Sequence, residues 1–382
     1  MDRDAWIRSA LQSSEIRKLR PKKPSRHIGE SMGYVRELEA DGLGGVVNAR
    51  TYFLVGSECR FTCSMCDLWK YTLEDRQTPK GSLVSQVHAL HREFGKRYGG
   101  RAGFERFECN AIGVSGASRE WLKLYNAANF FDNWNVPSEE RLAIAQQCMD
   151  FERVVVENHA AMFQSRGVRD EVLRFRDRLV GELEIALGLE TIEPESMRIL
   201  NKGMRLDQFQ DAVEFLVREG VHTRAFVLLG PPGVALGESV RWAKAACTQA
   251  VLWGVERCCV IPTRGGTGWL DLGKRLGYWK PPTRFELEQV LEVLQLEGEF
   301  GEGRESKVEA MRKLQVGSPV RVRPVYTVDL WDWDLLDRGN CESTVCHLIR
   351  KERLSQMNLQ QRCIPWANLQ SCRCGGVEVK HA

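Results

Sequence analysis

Residues 51–71 read TYFLVGSECRFTCSMCDLWKY, and this stretch decides how the rest of the chain is interpreted. It begins with an apolar, β-branched and aromatic run, Tyr52 to Val55, which predicts a buried strand. Gly56 and Ser57 end that strand. Three cysteines then follow within eight residues, at Cys59, Cys63 and Cys66. A short loop with this spacing aims three thiolates at one point, which predicts a metal centre or a redox-active loop.

The number of nearby cysteines narrows the kind of metal centre. A cubane iron–sulfur cluster is usually held by four cysteinates. No fourth cysteine lies near the loop, because the next one along the chain is Cys109. One iron would then stay open for another ligand, as in catalytic metal sites. Three alternatives stay open: part of a structural zinc site that a His or a distant Cys completes, a set of redox thiols, or a chance grouping in a chain with 13 cysteines.

The C-x3-C-x2-C loop after a strand resembles the signature of the radical S-adenosylmethionine (SAM) superfamily. The resemblance implies a 4Fe–4S cluster on Cys59, Cys63 and Cys66, with SAM bound to the open iron through its amino and carboxylate groups. Electron transfer would cleave SAM to a 5′-deoxyadenosyl radical, so the cofactors carry the chemistry and the protein supplies orientation. It also implies that Met65 lies against the adenine.

Composition places the chain among ordinary globular proteins. It has 382 residues, of which 43% are hydrophobic and 27% charged, and its net charge is +3. These values indicate no general attraction to nucleic acid or membrane. The N-terminus has no apolar core of a signal peptide, and no run is long enough to span a bilayer. Thirteen irregularly spaced cysteines therefore predict free and metal-bound thiols in a reducing cytoplasm.

Strand and helix patterns alternate along the chain. The predicted strands are 51–55, 110–115 or 121–125, 153–156, 183–187, 224–229 and 256–261. The predicted helices are 84–97, 138–150, 207–219, 238–253 and 284–296. Alternating strands and helices favour βα units around a parallel sheet. About six units are fewer than the eight of a full barrel. We therefore predict an α/β fold, the partial (β/α)6 TIM-like barrel that the resemblance also implies.

The barrel is predicted to occupy residues 46–300. Residues 1–45 are predicted to form an N-terminal helix and linker, with a basic, solvated arm, and residues 301–382 a small Cys-rich C-terminal cap. Sites in parallel barrels lie at the C-terminal strand ends. The cofactor-binding residues are therefore expected there. Asn126 and Asn129 follow the strand at 121–125, and the resemblance gives this position contact with the SAM amino group. Glu157 follows the next strand, where a carboxylate is expected to face the barrel mouth.

A closer resemblance rests on two further motifs, GLET…LNKGM in residues 188–204 and LLGPPG in residues 228–233. They are similar to the Elongator-catalytic-subunit/MiaB/NifB-like branch of the superfamily, and most similar to the archaeosine-biosynthesis group. On this resemblance Glu190 is expected to bind ribose hydroxyls or an amine. Arg224 is expected to grip the SAM carboxylate with two hydrogen bonds. The archaeosine group has a longer first gap in its cysteine loop, so its substrate is not carried over.

The C-terminal segment contains five cysteines, at Cys341, Cys346, Cys363, Cys372 and Cys374. We predict a second site, with zinc or an auxiliary iron–sulfur cluster, on Cys341, Cys346, Cys372 and Cys374, after a helix over 346–359 folds back. Ordinary thiols are the alternative.

The predicted function is a radical SAM enzyme acting on an unidentified substrate, either a tRNA base or a small molecule or peptide. Such an enzyme needs a flavodoxin- or ferredoxin-like reductant as partner. The alternative is a non-catalytic zinc-binding interaction protein. No membrane partner is expected, since no apolar run is long enough.

Overall fold

The structure is a computed structural model that describes residues 1–98, 119–300, 323–339 and 341–365. In these ranges the strands are β1 (Gly33–Ala40), β2 (Val46–Phe53), β3 (Glu120–Tyr125), β4 (Arg153–Asn158), β5 (Glu182–Glu190), β6 (His222–Leu229), β7 (Arg257–Pro262) and β8 (Val325–Val328). The helices are α1 (Arg3–Ala10), α2 (Ser13–Leu19), α3 (Ser82–Tyr98), α4 (Ser138–Gln147), α5 (Arg166–Arg176), α6 (Pro194–Ile199), α7 (Leu206–Arg218), α8 (Ser239–Trp253), α9 (Trp269–Arg275), α10 (Arg284–Phe300) and α11 (Thr344–Gln360). None of these helices combines the length and the apolar composition needed to cross a membrane.

All eight strands form one sheet in the order of the sequence. β1 runs antiparallel to β2, and every later strand is parallel to its neighbour. The sheet curls far enough for Tyr125 on β3 and Phe226 on β6 to make an edge-on contact across the lumen, with ring centroids 6.3 Å apart. The predicted fold class, an α/β partial TIM-like barrel, is confirmed.

The five helices predicted between residues 84 and 296 are confirmed, with ends within a few residues of those expected. The strand at 121–125 is confirmed, and its alternative at 110–115 lies outside the described residues. The strands β1 and β8 were not predicted. β1 reads GYVRELEA, and its charged residues interrupt the apolar run that would predict a strand. β1 pairs along its whole length with β2, although it falls inside the segment predicted as a linker. The domain boundaries stay a prediction.

The two faces of the curled sheet differ in chemistry. On β4 the fully buried Val154 and Val156 belong to the large apolar core under the helices. Their neighbours Arg153 and Glu157 lie on the other face, since successive side chains of a strand alternate. The outer face therefore carries the hydrophobic core, and the inner face is free to carry polar chemistry.

Ion pairs fill the N-terminal half of the lumen. Arg224 on β6 donates from Nε to Glu184 Oε1 at 2.6 Å and from Nη2 to Glu39 Oε2 at 2.7 Å. Lys123 on β3 pairs with Glu37 and Glu39. Each buried charge has a partner of opposite sign, which is the condition for burying it without a large penalty. This half of the barrel is a packed polar core.

The helix α11 packs against both edge strands, β1 and β8. Two of its side-chain amides pair with the free edge of β8 as a neighbouring strand would. Asn358 accepts from Val328 N at 2.9 Å and donates to Val328 O at 2.9 Å. Gln361, just past the helix end, makes the same two bonds with Tyr326, at 2.8 and 3.0 Å. These amides satisfy backbone groups that an open edge would leave unpaired.

Candidate functional site at the carboxyl ends of the strands

The cysteine loop leaves β2 at the C-terminal edge of the sheet, and the segment after α6 holds its centre. Ser64 donates from its backbone N–H to Leu200 O and from Oγ to Ile199 O, both at 2.9 Å. Asn201 Nδ2 donates to Thr62 O at 3.0 Å. The LNKG motif, on which the closer family resemblance partly rests, therefore holds the cysteine loop in place.

A second set of bonds holds the start of the loop to the segment after β3. Asn135 Nδ2 donates to Ser57 O at 3.1 Å and to Glu58 O at 3.0 Å. Arg60 forms a two-point ion pair with Asp132. A loop tied on two sides is preorganised for a ligand, because less conformational entropy is lost when the ligand binds.

The three motif thiols lie close enough to influence one another. Burial raises the pKa of Cys63 to about 12, and the neighbouring Cys59 adds to the rise. Burial also raises the pKa of Cys66, with Cys63 the next largest cause. Asn129 Nδ2 donates to Cys59 Sγ at 3.2 Å, and its contact with SAM stays a prediction. Hydrogen bonds to cluster sulfurs are one of the ways in which a protein tunes a cluster.

These donors fit an iron–sulfur cluster held by three cysteinates. The loop offers three neighbouring thiols, and the buried ammonium of Lys202 acts on Cys63 and Cys59 with the positive charge that thiolates need. Within the described residues, no three His, Cys, Asp or Glu side chains converge as the ligands of one metal ion do. A cubane cluster sets a different requirement, because each cysteinate binds its own iron.

Lys202 was not among the predicted site residues, although the LNKG motif contains it. Its Nζ lies 2.7 Å from Glu190 Oε1, and both side chains are largely buried. Glu190 adopts a left-handed backbone with φ of 67°, at an irregularity in the pairing of β5 with β6. A Cβ on Gly188 would lie 2.3 Å from Glu190 Oε1 and 2.7 Å from Lys202 Nζ. The absence of a side chain at residue 188 makes room for the pair.

His159 supports the loop from the end of β4. Its ring stacks on Phe61 with centroids 3.8 Å apart, and its Nδ1 accepts from Ala161 N at 3.2 Å. Nε2 therefore carries the hydrogen and donates to Lys202 O at 3.0 Å. Burial and the charge of Lys202 lower the pKa of His159 to about 2, so the ring is neutral. It acts here as a packing and hydrogen-bonding residue.

Glu157 lies at the end of β4 and binds the turn after β3. Its Oε1 accepts from Asn126 N at 2.8 Å and from Ala127 N at 2.7 Å. Burial raises the pKa of Glu157 to about 7, although these amide bonds oppose the rise. The Asn126 side chain is fully buried, and neither its oxygen nor its nitrogen has a hydrogen-bond partner in the described structure. A buried carboxamide in this state calls for a partner, and none of the described residues supplies one.

Two other predicted cofactor residues lie in different surroundings. Met65 is partly buried and packs against the cluster of Trp6, Trp269 and their neighbours. Arg224 is the third residue of β6, away from the strand's C-terminal end, and both sides of its guanidinium are bound by Glu184 and Glu39. Its contact with SAM stays a prediction.

A ring of partly exposed residues lies above the ion pairs, towards the C-terminal ends of the strands, and we call it the chamber wall. Seven strands each contribute a partly exposed residue there: Phe53, Tyr125, Glu157, Gly188, Phe226, Cys259 and Thr327. The pairing register aligns Phe53 with Tyr125, and it places the last four side by side on β5 to β8. The chamber wall is therefore largely aromatic and apolar.

Asp329 adds a carboxylate to this wall, two residues beyond Thr327 and on the same face of the chain. Its Oδ1 accepts from Trp331 N at 2.8 Å, and burial raises its pKa to about 6. Trp331 in turn makes an edge-on contact with Phe53, with ring centroids 5.4 Å apart. The C-terminal segment thus contributes Asp329 and Trp331 to one side of the chamber wall.

The C-terminal cysteines are described only in part. Cys341 and Cys346 are buried at the start of α11, and Arg350 Nε donates to Cys346 Sγ at 3.4 Å. The predicted helix over 346–359 is confirmed as α11. Cys372 and Cys374 lie outside the described residues, as does Cys109. The shared metal site therefore stays a prediction.

Comparisons with known proteins give weak structural likenesses. No family model matches the chain, and no curated protein matches it. Among solved structures, it is similar to Elp3 from Methanocaldococcus infernus at 13% identity and a TM-score of 0.40, covering 55% of this chain and 49% of that one. It is similar to SuiB from Streptococcus suis bound to S-adenosylmethionine, at 10% identity and a TM-score of 0.42, covering 69% and 52%.

A third similar structure is TsrM from Kitasatospora setae, a radical S-adenosylmethionine methyltransferase with tryptophan substrate and a SAM analogue bound. The identity is 14% and the TM-score 0.38, and the match covers 61% of this chain and 40% of that one. The chain thus spans about half of each of these proteins, or less.

Proposed function

We propose that this protein is a radical SAM enzyme in which Cys59, Cys63 and Cys66 hold a 4Fe–4S cluster with one iron open to SAM. The observation that carries the proposal is the position of the three cysteines on one short loop at the C-terminal end of β2, where a turn closed by the bond from Cys66 N to Cys63 O joins two of them. This is the end of a parallel barrel at which active sites are built.

The chain's own residues have distinct tasks in this proposal. When bound, the cluster and SAM supply a 5′-deoxyadenosyl radical. Asn129 donates a hydrogen bond to Cys59, and Lys202 sets a positive charge beside the thiolates. The unpartnered carboxamide of Asn126 offers a donor and an acceptor to SAM. Glu190 fixes Lys202, so its own contact with SAM would use the remaining carboxylate oxygen.

The chamber is the proposed place of the substrate. Its aromatic residues, Phe53, Tyr125 and Phe226, separate the thiol end of the barrel from the ion pairs below. An apolar wall suits radical chemistry because it keeps water and other reactive groups from the reacting atoms. Glu157 and Asp329 are the carboxylates of this wall.

Metal analysis after anaerobic purification tests the proposal. We expect about four iron and four sulfide per chain and SAM cleavage that depends on a reductant. Cys63→Ala should lose both. Cys148→Ala is the matched control, because Cys148 is fully buried in the core of the helical layer and belongs to no proposed site. Cleavage of SAM by Cys63→Ala would end the proposal, and zinc without iron would favour the non-catalytic zinc-binding protein.

The finer assignments are part of the same proposal. The electron donor is a flavodoxin- or ferredoxin-like protein, and reduced thiols and a cluster suit a cytoplasmic location. The substrate is a tRNA base or a small molecule or peptide. Similarity to the archaeosine-biosynthesis group rests on the GLET, LNKGM and LLGPPG motifs alone. The amount of 5′-deoxyadenosine formed above the substrate-free background is compared between a tRNA pool and a peptide pool. A rise with one pool and not with the other separates these two substrate classes.

The second metal site, on Cys341, Cys346, Cys372 and Cys374, is proposed separately. Cys372→Ser combined with Cys374→Ser should lose one metal equivalent and keep the barrel cluster. Unchanged metal content would make these cysteines ordinary thiols.

A further inference from the structure

The basic segment that begins in the last turn of α2 crosses the cysteine loop. We call residues 17–26 the N-terminal strap. The sequence suggested a solvated arm, because it carries six basic residues with no apolar run. In the structure four of the six reach the loop: Arg17, Arg20, Lys23 and Arg26.

Two strap residues bind the first half of the cysteine loop. Arg17 Nη2 donates to Thr62 Oγ1 at 3.1 Å, and Arg20 Nη1 forms an ion pair with Glu58 Oε1 at 2.7 Å. Each of these acceptors comes immediately before a cysteine of the motif. A shift of the strap would therefore move the backbone from which the thiols project.

Lys23 joins the two ends of the loop. Its ammonium donates to Leu73 O at 2.8 Å and to Thr72 Oγ1 at 2.9 Å, and it lies 3.4 Å from Glu58 Oε2. Glu58 and Leu73 are 15 positions apart and bracket all three cysteines. The Lys23 side chain thus connects the beginning of the loop to its end. Arg26 Nε adds a bond to Lys70 O at 3.1 Å.

Aromatic contacts reinforce these bonds. The Arg20 guanidinium lies 4.7 Å from the centroid of the Trp69 ring, and Arg26 lies 5.6 Å from that of Tyr71. Trp69 is only 4% exposed, so the strap and the loop share a small packed interface. Cation–π contacts of this kind are strongest where water is excluded.

A separate interface holds the N-terminal end of the strap on the barrel. Trp6 of α1 stacks on Trp269 of α9, with ring centroids 4.0 Å apart. Each indole donates to the other residue's backbone oxygen, at 3.1 and 3.2 Å. A Cβ on Gly268 would lie 1.8 Å from Leu19 O, which shows how closely the first residues of the strap approach the turn before α9.

We propose that the N-terminal strap is a working part of the cysteine site, with Arg20 and Lys23 as positioning residues that keep the loop in its cluster-binding conformation. The proposal rests on the proposed function, and it assigns to the N-terminal segment a role at the centre of the barrel mouth. Neither residue touches a thiol. They act through Glu58 and the backbone of the loop.

Hydrogen–deuterium exchange of the metal-free protein tests the strap without any cluster. In the variant Arg20→Ala with Lys23→Ala, amides of residues 58–73 should exchange about tenfold faster or more, the factor expected when hydrogen bonds to charged groups are lost. Lys22→Ala is the matched control, because Lys22 is exposed and has the same charge. Wild-type exchange in the double variant would overturn the proposal.

Iron binding gives a second, independent readout. After anaerobic reconstitution the double variant should hold less than about half of the wild-type iron, since a mobile loop presents its ligands less often. If the double variant fails to fold, Lys23→Met keeps most of the aliphatic stem and removes the ammonium with its charge and its hydrogen bonds. Faster exchange with full iron content would overturn the role in cluster binding. Iron missing from the wild-type protein would overturn the proposed function instead, while unchanged exchange overturns the strap alone.

Discussion

Lys202 Nζ lies 2.7 Å from Glu190 Oε1 in a buried ion pair beside Cys63. Glu190 ends β5 and Lys202 follows α6, so the helix between them returns the chain to the strand end. The same short segment supplies the carbonyls that bind Ser64 in the cysteine loop. The segment at the end of α6 therefore both positions the cysteine loop and places the Lys202 ammonium next to it.

Removing one partner of this ion pair should lower the free energy of unfolding substantially. Lys202→Met leaves the Glu190 carboxylate buried without a cation, and we expect a loss of about 3–5 kcal/mol in the free energy of unfolding. Combining it with Glu190→Gln should restore part of that loss. Urea unfolding of the metal-free protein measures both. The exposed pair of Lys80 and Glu139 is the control, where Lys80→Met should cost much less. Equal costs at the two lysines would contradict the buried pair's importance.

Gly188→Ala should disturb the same ion pair by steric overlap. The new methyl group would overlap the Glu190 carboxylate and the Lys202 ammonium, so we expect a loss of about 1–3 kcal/mol. Gly95→Ala is the matched control. Gly95 lies in α3 with no atom within 4 Å of its would-be Cβ, and alanine there should stabilise the helix by about 1 kcal/mol. Thermal unfolding compares the two, and a neutral Gly188→Ala would show that the pair can move aside.

Arg224 has two candidate roles, which different variants can test. One is ion pairing in the polar core, and the other is contact with the SAM carboxylate. Arg224→Met removes the partner of Glu184 and Glu39, and we expect a loss of about 3–5 kcal/mol in stability. Arg224→Lys keeps the charge and should cost less. Equilibrium dialysis of cluster-loaded Arg224→Lys with SAM measures the other role. A more than tenfold weaker affinity at near wild-type stability would support Arg224 as the SAM-carboxylate partner, and unchanged affinity would assign it to the polar core.

His222 should make stability depend on pH. Burial opposes its charge, but Glu256 at 2.7 Å and Glu182 at 3.1 Å outweigh burial and raise the pKa of His222. The folded protein then holds the proton more tightly than the unfolded chain does. Its stabilising effect is complete below the unfolded pKa of about 6.5 and is lost as pH rises through the higher folded value.

We therefore expect the free energy of unfolding to fall from pH 6 towards pH 9, by at most about 1.4 kcal/mol per pH unit from this group. His222→Gln should remove that part of the slope. The difference between wild type and variant at each pH is the quantity to compare, since other groups titrate as well. Parallel curves would show that His222 is not charged in the folded state.

The sequence by itself determined the elements that depend on local pattern. The apolar run before Gly56 and the spacing of the three cysteines predicted a strand followed by a ligand loop, and β2 ends where that loop begins. The alternation of strands and helices predicted the partial barrel. These predictions succeed because periodicity and turn residues act over a few positions. β1 has no such local pattern, since its glutamates form ion pairs with Lys123 and Arg224 from distant strands.

Tertiary structure alone decided which distant charges meet. Lys23 and Glu58 are 35 positions apart and Arg224 and Glu39 185, so no local pattern links either pair. The strap reads as a solvated arm in the sequence, because lysine and arginine are the usual residues of an exposed surface. Folding brings it against Glu58 and the carbonyl of Leu73, where its charges find partners. Electrostatic pairing acts between residues that are close in space, and the course of the sheet and helices sets that closeness.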